Sequence, residues 1–285
     1  MKTLLHRLFS PAVLVLVLVS LTAPALLAAS QTSASPAPWR VLVMVYESTD
    51  IAEPDQYTAN IRDIAQIMPG MWGDLMTGKP AEDSWSPQLS AGARARLDDS
   101  LSQLPTLISE WSDGRATITI STVYTGHPLF ATGDSQRLGA TVEAANVRAD
   151  IDRYAPNGLY DSIFAVWRNL GPDGPSVTFH AGVAFPSLDK ASGAYFASIP
   201  LKALFEDQTD LRGFREVFVH EWLHQVIAEN HAHGINNVPE LHDPTAYGFE
   251  SVGTWSHWYA AMMDGSLAHR FGVDALSFAL PTRGE

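Results

Sequence analysis

The 285-residue chain contains no cysteine. This absence excludes a disulfide scaffold, a thiol nucleophile, a cysteine-ligated zinc and an iron–sulfur cluster. Basic residues are also few, since 18 Lys and Arg stand against 31 Asp and Glu and give a net charge of −13. Phosphate binding usually requires a basic patch, and no run of basic residues occurs. The sequence therefore argues against nucleic acid as a partner.

Several familiar catalytic and binding motifs are absent as well. The chain has no glycine-rich phosphate loop, no Gly-x-Ser-x-Gly elbow and no twelve-residue EF-hand pattern. With 46% hydrophobic and 17% charged residues, the composition is that of a globular protein and excludes a disordered or collagen-like chain. No repeat of 20–50 residues is visible.

Residues 1–29 have the layout of a secretory signal peptide. A short basic start is followed by an apolar run over residues 12–19 and by small residues near position 29. The strongly apolar run is shorter than the ~20 residues that span a bilayer, so we expect cleavage rather than a permanent anchor. Residues 30–38 are predicted to be a flexible leader rich in Ser, Ala and Pro. The expected product is secreted, extracellular or periplasmic, without stable membrane insertion.

Residues 39–285 are predicted to form one α+β domain with a mixed sheet and a C-terminal part of helix and loop. Strands are predicted at 40–46, 115–125, 161–168, 177–185 and 194–199, and helices at 54–68, 90–111, 143–154 and 212–230. Pro105 is expected to kink or break its helix. Residues 70–87 are predicted to be a loop.

The strongest functional signal is the pentapeptide His220-Glu-Trp-Leu-His224. Apolar neighbours such as Phe214, Phe218 and Val226 predict that it lies on a helix. Side chains four residues apart lie one turn apart on nearly the same face, so both imidazoles can reach one ion. Neutral imidazoles with an open coordination position suit Zn²⁺. Glu221 is then placed beside the open position, where it can take a proton from the activated water.

A histidine pair of this spacing on a helix, in a secreted chain, resembles the zincin metallopeptidases. The close resemblance covers Val219 to His224 alone. It implies a zincin-like fold, His220 and His224 as zinc ligands, Glu221 as general base, and hydrolysis of a protein or peptide substrate. It also implies a third ligand from further along the chain.

The third ligand is left open by the sequence. Ile227 and Asn230 stand where the metzincin pattern needs Gly and His, so that group does not fit. Residues 239–249 resemble the aspzincin arrangement, with one extra residue before Tyr-Gly, and also HEWLH-type secreted bacterial proteins of uncertain function. The second resemblance favours His242. The alternatives are, in decreasing order, Asp243, then His231 or His233, then Glu240 or Glu250.

Tyr247 is predicted to donate a hydrogen bond to the oxyanion formed during hydrolysis. The competing interpretation is a tyrosine packed at the base of its loop. The aromatic segment 254–259 is interpreted as core packing, with a substrate-binding shelf as the weaker alternative. His257, within it, is interpreted as a core or surface histidine.

The sequence thus predicts a secreted zinc-dependent peptidase. The alternative is a secreted binding module with a structural zinc site and no hydrolytic activity. Six of the ten histidines lie between 220 and 257, which keeps that alternative open. Structural sites have four protein ligands and catalytic sites three, so the ligand count distinguishes the two hypotheses. The sequence predicts neither the substrate nor the oligomeric state.

Overall fold

The computed structural model describes residues 37–51, 88–134, 139–168, 182–201, 212–249 and 255–281. All of these residues belong to one unit, residues 36–285. The predicted signal peptide, the helix at 54–68 and the loop at 70–87 lie outside the described residues, so these remain predictions.

The described elements follow one another as a mixture of strands and helices. The strands are β1 Trp39–Tyr46, β2 Thr49–Ile51, β3 Ile118–Tyr124, β4 Leu129–Asp134, β5 Gly139–Thr141, β6 Ser162–Arg168, β7 Val183–Ala184 and β8 Tyr195–Leu201. The helices are α1 Ala91–Trp111, α2 Arg148–Tyr154, α3 Arg212–Ala232, a 3-10 helix at Pro244–Tyr247, α4 Trp255–Asp264 and α5 Ser266–Phe271. The predicted α+β class is therefore confirmed.

A five-stranded sheet in the order β3-β1-β6-β8-β7 forms the centre of the fold. Its first four strands are parallel, and β7 pairs antiparallel to β8 at one edge. A second sheet, β2-β4-β5, was not predicted from the sequence. Parallel neighbours need long crossover connections, which the helices and loops between these strands supply.

Both faces of the main sheet are covered, because alternate residues of β1 enter two different core clusters. Val41, Val43 and Val45 point to the side of α1 and α3. Leu42 and Met44 point to the side of α2. All five side chains are fully buried. This arrangement explains why the strand has a continuous apolar run rather than an alternating pattern.

Helix α1 begins at a capped end and continues through a proline. The Ser90 hydroxyl accepts a hydrogen bond from the Ala93 amide at 3.1 Å, which caps the first turn. Of the expected kink or break at Pro105, the break is wrong, since the helix continues to Trp111. A proline inside a helix costs about 3 kcal/mol. Burial of a Leu or Ile side chain contributes roughly 1.5–3 kcal/mol. This helix buries such side chains on both sides of Pro105, namely Leu97, Leu101, Leu104 and Ile108.

The helix predicted at 143–154 is shorter than expected. Helical structure covers only Arg148–Tyr154. The Asn146 side chain accepts a hydrogen bond from the Glu143 amide at 2.8 Å, and this local turn competes with a helical start. The strand predicted at 177–185 is described only at Val183–Ala184, because residues up to 181 lie outside the described part.

A histidine ties the loop after β3 to helix α2. His127 Nδ1 lies 3.0 Å from the Pro128 carbonyl, and Nε2 lies 3.0 Å from the Asp150 carboxylate. These two hydrogen bonds raise the pKa of His127 against a smaller opposing effect of burial. The same carboxylate accepts the Tyr46 hydroxyl at 2.7 Å. The buried carboxylate of Asp150 therefore connects helix α2 both to the His127 loop and to Tyr46 of β1.

The last described residues, 273–281, close the core around α3. The Trp39 indole N–H donates to the Phe278 carbonyl at 3.1 Å, across 239 positions of sequence. The Phe278 ring stacks on Trp222 of α3 at 5.8 Å. Asn230, buried near the end of α3, exchanges two 2.8 Å hydrogen bonds with the backbone of Ser277. These contacts hold α3 against the start of β1.

Helix α3 is the predicted helix around the histidine pair and extends two residues further than expected. Phe218 stacks on Phe164 of β6 with ring centroids 4.2 Å apart. Trp222 lies edge-on to Trp39 at 5.9 Å. Within the described part of the chain, no helix is both long and apolar enough to cross a membrane.

Candidate metal centre

Helix α3 brings His220 and His224 together, one helical turn apart. Their Nε2 atoms lie 3.2 Å from each other. The opposite face of the helix is buried through Phe218 and Trp222, so the helix cannot rotate without leaving the core. The apolar pattern around the motif therefore sets the direction in which both imidazoles project.

The loop after α3 adds His242 to this pair. Its Nε2 lies 3.1 Å from Nε2 of His220. The preceding residue, Leu241, is buried in the core, and its carbonyl accepts the Trp258 indole N–H at 2.9 Å. The following residue, Asp243, caps the 3-10 helix by accepting the Ala246 amide at 3.2 Å. Both neighbours of His242 are thus fixed, and the exposed imidazole lies beside the helix.

The nitrogen atoms of the three histidines are close enough together for one ion to bind to all of them. All three ligand atoms lie within 4.8 Å of one another. With Zn–N bonds of about 2.0–2.1 Å, two ligands of a tetrahedral zinc are about 3.3–3.4 Å apart. The 3.1 and 3.2 Å separations measured from His220 are close to that value. The residues present fit a zinc ion bound through three imidazoles.

The electrostatic environment keeps the imidazoles of His220 and His224 neutral. Burial, together with the neighbouring His224 and His242, lowers the pKa of His220 to about 3. Burial likewise lowers the pKa of His224 to about 4, with a contribution from His242. A neutral imidazole has an available lone pair, which a metal needs, whereas an imidazolium does not.

Glu221 contacts the edge strand β7 and the residue before it. Its side chain is buried, with 3% of the residue surface exposed. Burial raises the pKa of Glu221 to about 8, and the backbone N–H of Ala184 opposes this by donating to the carboxylate. A β-carbon at Gly182 would lie only 2.5 Å from Oε1. The carboxylate therefore occupies space that is available because residue 182 has no side chain.

No family model, curated protein or solved structure matches this chain. The chemistry of the site is therefore inferred from its geometry and from the five-residue motif.

The other residues considered as third ligand lie elsewhere. Asp243 is occupied as a helix cap, and His233 contacts the Glu229 carbonyl and carboxylate at 2.9 and 3.1 Å. His231 and Glu240 are exposed and do not join the cluster. Glu250 lies outside the described residues. Within the described part of the chain, His220, His224 and His242 form the sole group of three or more His, Asp or Glu with this spacing.

Tyr247 is the last residue of the 3-10 helix that follows His242. Its ring stacks on Trp258 at 5.2 Å and lies edge-on to Phe271 at the same distance. Its hydroxyl accepts the Glu240 amide at 3.3 Å. These contacts are those of the packed tyrosine that was the competing interpretation, and the oxyanion role stays a prediction. In the aromatic segment, Trp258 is buried as expected and His257 is exposed.

Three residues of this region were not identified from the sequence. Ala184 of β7 and Gly182, just before this strand, contact Glu221 from 37 and 39 positions earlier in the chain, and the sequence pattern carries no signal of that approach. Tyr259 lies with its hydroxyl 3.0 Å from Nδ1 of His220. It belongs to the aromatic segment, where nothing distinguishes it from its packed neighbours.

Proposed function

We propose that the protein is a secreted zinc-dependent peptidase with a zincin-like active site. The observation that carries this proposal is a cluster of three imidazoles, two of them on the helix that also carries the buried Glu221. Three protein ligands leave one position of a tetrahedral ion open to water and substrate, as catalytic zinc sites require. The exposed side of His242 gives that position access to solvent.

The histidines and Glu221 have separate roles in the proposed hydrolysis. His220, His224 and His242 would hold Zn²⁺, which when bound polarises a carbonyl and makes water more acidic. Glu221 accepts one proton from the attacking water as the oxygen adds to the carbonyl carbon. It then returns that proton to the leaving nitrogen as the C–N bond breaks. Glu221 ends the cycle in the carboxylate form in which it began.

The edge strand β7 supports a peptide as the substrate class. Among the described residues, β7 pairs with β8 on one side only. An unpaired strand edge offers backbone N–H and C=O groups to an extended peptide. Ala184 of this strand donates its amide to Glu221, so the edge and the proposed base are in direct contact. A peptide added at this edge would run past the carboxylate.

The alternative, a binding module with structural zinc, requires a fourth protein ligand. The described residues offer three. No contact in the described part favours a closed site, so the peptidase is the function that the geometry supports best.

The test is the isosteric substitution Glu221→Gln in residues 30–285. Hydrolysis of a mixed peptide library, followed by mass spectrometry, should fall by about 10²–10⁴-fold because the proton acceptor is lost. Zinc content should stay at one per chain, since the ligands are untouched. The matched control is Glu229→Gln, which changes an equally buried glutamate of the same helix that accepts the Tyr195 hydroxyl instead.

Two results would contradict the proposal. Wild-type protein with one zinc per chain that cleaves no peptide in the library would favour the binding module. Full cleavage by the Glu221→Gln variant would remove Glu221 from the mechanism.

A further inference from the structure

Tyr259 of helix α4 makes a polar contact with His220 of the three-histidine cluster. Its hydroxyl oxygen lies 3.0 Å from Nδ1 of His220, the ring nitrogen that faces away from the other two histidines. Nε2 of the same imidazole lies 3.1 and 3.2 Å from the nitrogens of His242 and His224. The two nitrogens of His220 thus have different partners on opposite sides of the ring.

The chemistry of a neutral imidazole assigns a role to each nitrogen. One nitrogen carries hydrogen and the other carries a lone pair, and the hydrogen-bond partner of one sets the state of the other. A lone pair on Nε2 of His220, directed at the ion, requires hydrogen on Nδ1. The hydroxyl oxygen of Tyr259 is then the acceptor of that N–H.

The tyrosine ring is itself held by aromatic packing. Tyr259 is buried, and its ring stacks on Trp255 at 5.9 Å with an interplanar angle of 28°. Trp111, at the end of α1, lies against it at 6.4 Å. A hydroxyl on a ring fixed in this way is a stationary acceptor, so it also fixes the orientation of the imidazole.

We propose that Tyr259 is a positioning residue that holds His220 in the Nδ1–H tautomer and directs its Nε2 lone pair toward the ion. This inference depends on the proposed function in that it takes the histidine cluster to be a metal centre. It adds a residue that acts on the metal through His220 and that the zinc-binding motif does not include.

The first experiment needs neither metal nor substrate. Long-range ¹H–¹⁵N correlation spectra of the zinc-free protein distinguish the Nδ1–H and Nε2–H tautomers of His220. Wild type should show Nδ1–H, and Tyr259→Phe should show a mixture of the two. An Nε2–H tautomer in the wild type would overturn the inference without any variant.

The second experiment measures zinc affinity by competition with a chelator. Tyr259→Phe should bind zinc about 10–100-fold more weakly, as expected for loss of a partner behind a ligating histidine. The control is Tyr195→Phe, which removes another buried tyrosine hydroxyl bonded to α3, through Glu229 at 2.8 Å. It should keep wild-type affinity.

The outcomes separate the two proposals. Wild-type affinity in the Tyr259→Phe variant, or an equal loss in the Tyr195→Phe control, would overturn the positioning role. A wild type that binds zinc but cleaves no peptide would contradict the peptidase alone. A wild type that does not bind zinc would contradict the metal centre, and the tautomer spectra would still decide whether Tyr259 fixes His220.

Discussion

The contact between Gly182 and Glu221 gives the sharpest prediction, because it separates metal binding from catalysis. In Gly182→Ala the new β-carbon would meet three atoms of Glu221: Oε1 at 2.5 Å, Cγ at 2.7 Å and Cδ at 2.8 Å. Ordinary van der Waals contact begins at 3.4 Å. Since the clash includes the stem of the side chain as well as its end, rotation of the carboxylate alone does not relieve it.

The size of the effect follows from the displacement. Relief of the closest contact requires a shift of about 0.9 Å, and a misplacement of about 1 Å typically costs on the order of 10²-fold in rate. We expect kcat/KM to fall by that factor in Gly182→Ala. Zinc content should be unchanged, because the three atoms nearest to the new β-carbon all belong to Glu221 and none to a histidine.

The assay is cleavage of one peptide identified in the library screen, with zinc measured on the same sample. Gly92→Ala is the matched control, since a β-carbon there meets nothing closer than 3.5 Å. Its activity should equal that of the wild type. Wild-type kcat/KM in Gly182→Ala would refute the reasoning, because Glu221 could then move without consequence. Loss of zinc would show that the substitution acts on the ligands instead.

Three further results are expected. By mass spectrometry, His242→Ala should contain far less than one zinc per chain, whereas His233→Ala should contain one zinc per chain. The reverse result would make His233 the third ligand in place of His242. Leu241→Ala should lower the free energy of unfolding by about 2–5 kcal/mol through an unfilled cavity. It should also weaken zinc binding, because Leu241 anchors the loop that carries His242. An unchanged denaturant midpoint and an unchanged zinc affinity would contradict this anchoring. The raised pKa of His127 stabilises the fold below pH 6.5, and this contribution disappears as pH rises through the folded pKa. His127→Gln should therefore lower Tm most at acidic pH, by an amount corresponding to less than about 1 kcal/mol because the side chain is 49% exposed; equal Tm differences at all pH values would contradict this.

The parts of the fold that the sequence predicts well are those determined by local pattern. The run from Val41 to Val45 is apolar because both faces of β1 are covered, and it identifies a central strand without further information. The periodicity around His220 predicts α3 in the same way. Pro105 shows the limit of local rules, because burial on both sides of the proline outweighs its intrinsic cost.

The residues of the candidate site also differ in how well a local sequence pattern predicts them. His220, Glu221 and His224 lie within five consecutive residues, and the four-residue spacing of the histidines alone brings both to one side of a helix. His242 comes from a loop, and a resemblance rather than a periodicity favoured it. Gly182 and Tyr259 each lie 39 positions from the residue that they contact. Such contacts are set by how strands and helices pack, which a single sequence does not display.

Asn230 has a packing role in this chain. The metzincin pattern would place a zinc ligand there, whereas this chain uses it to hold Ser277 with two hydrogen bonds. The end of α3 therefore packs against the last described segment, and the third imidazole comes from the loop that follows the helix.

The hydrogen bond between Trp39 and Phe278 also has a consequence for the order in which the molecule matures. It joins the first strand to a segment 239 positions later, and the same segment covers Trp222 beside the histidines. Contacts so distant in sequence are slow to form, since the long chain between them must first be ordered. A ribosome-bound chain would lack this closure until residue 278 had emerged. Helix α3, which carries His220 and His224, would acquire its final support last. The proposed zinc site is therefore expected to be complete only after nearly all of the described chain is in place.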